Sequence, residues 1–211
     1  MKDLLKLSFT EEVFNCVTHG VMAAIMLILI PICAVYSYIV GDTLRAFAVS
    51  VFTISIFLMF LVSTLYHAMD FNSPHKFVFR ILDHIFIYVA IAGSYTPVAL
   101  CVIKGVEGIV ILIIQWTMVL LGILYKSLAK QSLPKLSLTI YLVMGWTAVF
   151  FIPSLLNKAS ALFLTFIVIG GILYSIGAYF YSRKWKFAHA IWHIFISLAA
   201  SMHFIAIVFL M

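Results

Sequence analysis

The chain has 211 residues, of which 65% are hydrophobic and only 9% charged. Average soluble chains carry roughly a quarter charged residues, so this composition excludes a water-soluble domain and implies a polytopic membrane protein. The net charge of +6 is then loop charge that sets topology rather than a surface for nucleic acid.

The first fifteen residues carry Lys2, Asp3, Lys6, Glu11 and Glu12, with no long apolar core and no small-residue cleavage site, so no cleaved signal peptide is expected. A membrane-spanning helix needs about 20 apolar residues. Seven such stretches follow, at about 16–40, 46–69, 80–103, 107–126, 136–156, 159–181 and 188–210. Short polar breaks separate them, and no appended soluble domain or low-complexity segment is visible. The expected fold is all-α, one seven-helix transmembrane domain over residues 1–211. Pro31 lies inside span one and is expected to kink it. The small residues of spans five and six (Gly145, Gly170, Gly171, Ser175 and Gly177) are expected to let helices approach closely. Trp185, between basic residues, is the best candidate for an interface anchor. Cys16, Cys33 and Cys101 are an odd count without Cys-x-x-Cys spacing, which points to neither a disulfide framework nor a thiolate metal site.

Lysine and arginine counts set orientation. One side carries ten: Lys2, Lys6, Lys76, Arg80, Lys126, Lys130, Lys135, Arg183, Lys184 and Lys186. The other carries Arg45, Lys104 and Lys158. The N-terminus is expected in the cytoplasm and the C-terminus on the opposite side.

That topology places several polar groups at one depth. Ser63 and His67, one helical turn apart, lie near the cytoplasmic end of span two, and Asp83 lies near the start of span three. His189 and His193, again at i and i+4, open span seven on the same side. Ionisable groups in lipid are rare and usually functional. Three imidazoles with a fourth position open to water is the arrangement of catalytic zinc, which lowers the pKa of water towards about 7. The expected centre is one zinc ion on His67, His189 and His193. Asp83 would orient the water or take its proton, and Ser63 would hydrogen-bond the water or an oxyanion. Iron, copper and nickel also accept imidazole, a purely structural zinc would use the same ligands and could add Asp83 as a direct fourth, and Asp83 has an alternative partner in Arg80. His19 is at a suitable depth to hydrogen-bond near the site, and His84 faces about 100° away from Asp83 on its helix. His203 lies about 15 Å beyond His193 and is expected to hydrogen-bond between helices, while His75 is expected in a solvated loop.

These residues resemble a known family. The motifs are Glu11-Glu12-Val13-Phe14-Asn15 with Thr18-His19-Gly20, Ser63-Thr64-Leu65-Tyr66-His67, Leu82-Asp83-His84, Ile91-Ala92-Gly93-Ser94-Tyr95-Thr96-Pro97, Tyr141-Leu142-Val143-Met144-Gly145-Trp146, His189-Ala190-Ile191-Trp192-His193 and His203-Phe204. Together they are similar to the bacterial hemolysin III family, within the progestin and adipoQ receptor superfamily and more distantly related to alkaline ceramidases. The resemblance implies a seven-helix bundle in the bacterial plasma membrane with an intramembrane zinc. It implies His67, His189 and His193 as ligands and Asp83 as the holder of the zinc-bound water. The expected function is hydrolysis of a lipid amide or ester, with membrane lipids as partners and substrate. A non-catalytic sensor of membrane state with structural zinc is the main alternative, and a cytolytic protein another. Against a secreted cytolysin stands the want of an amphipathic pore-forming segment. Zinc transport ranks last, because the outer half offers only His203.

Overall fold

The computed structural model describes residues 7–128 and 133–211, and among these every regular element is helical. Seven helices are each long and apolar enough to cross a bilayer: α1 (Phe9–Val40), α2 (Thr43–Ala68), α3 (Pro74–Ile103), α4 (Gly105–Leu128), α5 (Lys135–Lys158), α6 (Ala161–Tyr181) and α7 (Ala188–Leu210). Lys2, Lys6 and Lys130, three of the cations counted for orientation, lie outside the described residues.

The helix starts follow from local chemistry. Ser8 and Glu11 form a capping box, so α1 begins at Phe9, about two turns before the apolar run. Asp42 caps α2 through Arg45 N (2.8 Å), and Ser73 caps α3 with Pro74 in its first turn. Ser160 caps α6 through Phe163 N. The turn between α3 and α4 needs positive φ at Lys104 (59°) and Gly105 (60°); the second suits glycine, which has no Cβ to clash. α1 runs helical through Pro31.

α5 is not one continuous α-helix. It passes from Pro134–Trp146 through a 3-10 turn, Thr147–Phe151, before resuming at Ile152–Lys158. The backbone groups loosened there find side-chain partners on α3 and α4. Tyr95 Oη donates to Gly145 O (2.6 Å) and accepts from Ala148 N (2.8 Å), and Gln115 Nε2 donates to Met144 O (3.1 Å). In lipid such groups must be satisfied by the protein itself.

α1 packs on α2 and α7, α2 on α3, α3 on α4, and α6 on α7, while α5 touches α3 and α6 more sparsely. One core of Met26, Phe52, Phe60 and Ile207 fills the space between α1, α2 and α7. Another, with Tyr88, Val119, Tyr141 and Met144, joins α3, α4 and α5. Exposed Leu27, Ile28, Ile113 and Phe150 form the outward face that an apolar medium would cover. Small residues do assist packing at two of the expected places. A Cβ on Gly170 would collide with the His203 ring, and one on Gly177 would crowd Phe195 and Trp192. Gly145 has no such neighbour.

The sparse packing of α5 leaves a cavity of about 370 Å³ between α3, α5, α6 and α7. Its wall is mostly aliphatic and aromatic, and it reaches His19, Ser63 and Asp83 at one limit and His203 and Ile207 at another.

Candidate metal centre

The centre lies at the end of the bundle where α1, α3 and α7 begin and α2 finishes. His67 is the penultimate residue of α2, and His189 and His193 occupy the first two turns of α7. Their i, i+4 spacing turns both α7 rings towards His67. The ring centroids form a triangle of 5.1, 5.1 and 4.8 Å, and one nitrogen from each ring lies within 4.8 Å of the others. The three histidines predicted as ligands are therefore together.

On two of the rings, hydrogen bonds indicate which nitrogen faces the centre. His67 Nδ1 is 2.6 Å from Glu12 Oε2, and an ionised carboxylate only accepts, so the proton is on Nδ1. His193 Nδ1 is 3.2 Å from the carbonyl oxygen of Asn15, which fixes the same tautomer. The Nε2 atoms of His67, His189 and His193 are buried and have no hydrogen-bond partner. Unpartnered buried polar atoms are rare, and these three belong to rings placed so that together they could hold a metal ion. The donor set, three imidazoles without thiolate, fits zinc.

Asp83 is buried on α3 and faces this cluster, acted on by His67, Ser63 and, from α4, Lys126. Ser63 Oγ is 2.9 Å from His19 Nδ1. His19 is buried and its ring stacks on that of His193, with centroids 3.6 Å apart and planes 3° from parallel. Asp83, Ser63 and His19 all line the apolar cavity.

The remaining histidines are spoken for. His84 Nδ1 donates to Arg80 O (2.6 Å), and its Nε2 accepts from Tyr181 Oη (3.4 Å). His203 Nε2 donates to Ile167 O (3.2 Å), the interhelical bond expected of it, although it also lines the cavity. His75 is exposed.

Comparison with known proteins places the chain in a family. A family model described as "Haemolysin-III related" matches residues 7–204. The chain belongs to the haemolysin-III family. It is 36% identical over 200 residues to Hemolysin-3 of Bacillus cereus, covering 94% of this chain and 91% of that protein. It is 34% identical to the Hemolysin-3 homolog of Bacillus subtilis, covering 94% and 93%. A more distant relative, the human "Monocyte to macrophage differentiation factor", is 28% identical over 203 residues, covering 93% and 83%. With seven apolar helices, this haemolysin-III protein is an integral membrane protein.

Sequence reading missed a set of residues on α1 and α3. Glu12 and Lys76 read as loop charges; instead, Lys76 is 2% exposed and its Nζ is 2.7 Å from Glu12 Oε1. Glu11 Oε1 accepts from Phe187 N (2.9 Å), where Phe187 takes a positive φ of 64° just before α7. A signal was available. Ser8-Phe9-Thr10-Glu11 is a capping-box pattern, and starting a helix there puts Glu11, Asn15 and His19 on one face at intervals of four.

Proposed function

We propose that this haemolysin-III protein is a zinc-dependent hydrolase that cleaves an amide or ester bond of a membrane lipid. One observation carries the reading. Three imidazoles whose Nε2 atoms are buried and unpartnered adjoin Asp83 and Ser63, and those two residues line an apolar cavity of about 370 Å³. That is the size of a small ligand pocket, and its mostly apolar wall suits a hydrocarbon chain.

His67, His189 and His193 would hold the ion. Zinc there supplies a Lewis acid and water reactive at neutral pH. The cavity seats the acyl chain and holds the scissile carbonyl next to Asp83 and Ser63. The Asp83 carboxylate accepts the proton of the attacking water and returns it to the departing amine or alkoxide. Ser63 Oγ donates a hydrogen bond to the carbonyl oxygen as negative charge develops on it, and His19 orients that hydroxyl from 2.9 Å. The products are a fatty acid and the amine or alcohol. The basic-residue bias supports a cytoplasmic N-terminus, which puts the centre towards the cytoplasmic side of the plasma membrane.

A second reading is a membrane-state sensor in which zinc is structural. It is favoured by the ligands coming from α2 and α7, which one ion would tie together. Turnover separates the two. Purified protein incubated with bilayer lipids, amides and esters included, should release fatty acid detectable by mass spectrometry. Asp83→Ala should abolish release while retaining one zinc per chain. Undiminished release from Asp83→Ala, or none from zinc-loaded wild type across the lipid set, would overturn the hydrolase reading. Direct lysis, which the name of the Bacillus cereus relative suggests, requires instead that pure protein form pores in zinc-free liposomes.

A further inference from the structure

We propose that Glu12 is a positioning residue for the metal, holding His67 in its ligating orientation, and that Lys76 holds Glu12. The inference rests on the metal reading above and extends it to residues outside the ligand set.

Glu12 spends one oxygen on each partner: Oε2 on His67 Nδ1 at 2.6 Å and Oε1 on Lys76 Nζ at 2.7 Å. Lys76 has no competing exposure to water. It is 2% exposed, its Nζ also donates to Met69 O at 3.0 Å, and it lies over the Tyr66 ring. The relay therefore runs from the start of α3, through the first turn of α1, to the end of α2. A carboxylate on the remote nitrogen of a ligating imidazole fixes tautomer and ring plane and makes the other nitrogen a better donor. His193 Nδ1 has only neutral partners in the same role, the Asn15 carbonyl at 3.2 Å and the Thr18 hydroxyl at 3.4 Å. His67 is thus the ligand with charged support. It also comes from a different helix than the other two, so its orientation decides whether the site closes.

The charges explain why two residues are needed. An unpaired, partly buried carboxylate at the edge of the bundle would be unfavourable, and Lys76 neutralises it. Removing Glu12 alone would strand Lys76, so loss of folding could mimic loss of metal affinity. Paired substitutions avoid this.

The test is zinc affinity of full-length protein in detergent, measured by competition with a zinc chelator and needing no knowledge of substrate. E12L/K76M removes both charges and the hydrogen-bond acceptor. It should stay monodisperse but bind zinc about 10–100-fold more weakly than wild type. E12Q/K76M keeps an amide oxygen for His67 Nδ1–H and should recover part of that loss. Wild-type affinity in E12L/K76M overturns the inference, as does equal weakening in both double variants, which would mark Glu12 as structural only. The conservative pair also serves should E12L/K76M fail to fold, since unchanged affinity in E12Q/K76M together with K76M would remove the case for a charged relay. H193A separates the two levels. If wild type binds no zinc, or H193A binds it as wild type does, the metal reading itself falls. If H193A loses zinc and E12L/K76M does not, only the role of Glu12 falls.

Discussion

Stripping the metal should destabilise this protein by a measurable amount. Without an ion, the Nε2 atoms of His67, His189 and His193 stay buried with no partner. Each unsatisfied buried polar group costs about 1–3 kcal/mol, so three cost about 3–9 kcal/mol. Linkage gives a second route to the size. Free zinc at about 1,000 times Kd stabilises the folded form by about 4 kcal/mol. For a chain of this length 1 kcal/mol shifts Tm by about 2–4 °C, so chelation should lower Tm by about 10 °C. Intrinsic fluorescence is a suitable readout, because the Trp192 ring lies 4.7 Å from that of His189 and 5.0 Å from that of His193. Detergent-solubilised protein would be melted as purified, after chelation, and after zinc is returned. The shift should reverse on re-addition and be absent in H193A. Equal Tm with and without zinc, or a chelator-sensitive shift that survives in H193A, would refute the reasoning.

Two further outcomes follow from the cavity and its walls. Gly171 lines the cavity, and the nearest atoms to a Cβ there belong to the Trp146 ring at 3.8 Å. Gly171→Phe should therefore project into the space a lipid chain would occupy, cutting lipid turnover about tenfold with zinc content unchanged; unaltered turnover would place the substrate elsewhere. Gly170→Ala should destabilise by about 1–3 kcal/mol, measured as a drop in Tm, because its Cβ meets the His203 ring, which is held by its bond to Ile167 O.

The spans and the three-histidine cluster were legible because they obey simple rules. Seven apolar runs are a matter of composition, and His189 and His193 share a face by spacing alone. His67 and Asp83 followed because charge counting put both at the depth of that pair. Supporting residues were harder to read. Glu12 and Lys76 look like loop charges until the capping box at Ser8 moves the start of α1 to Phe9. Their pairing spans 64 positions in the chain, which local periodicity cannot reveal. The cavity was illegible for another reason. It arises from the interruption of α5 after Trp146 and its thin packing, and the hydropathy of that span reads as one unbroken helix.

The layout of the centre bears on whether its metal would be structural or catalytic. A tie between α2 and α7 needs ligands and support, and both stand on one side, where Glu12 braces His67 and the Asn15 carbonyl braces His193. Asp83, a buried carboxylate from a third helix whose burial is unfavourable unless offset, stands outside the three-histidine cluster that such a tie would use. Nor does the tie need Asp83, Ser63 and His19 to line an apolar cavity. A structural ion would be best served by filling that space with side chains, since packing stabilises and voids do not. Braced ligands on one side and a carboxylate, a hydroxyl and an imidazole lining the cavity on the other are what a hydrolytic centre requires. In the proposed hydrolase the braced side would fix the metal, and the open side would receive the bond to be broken.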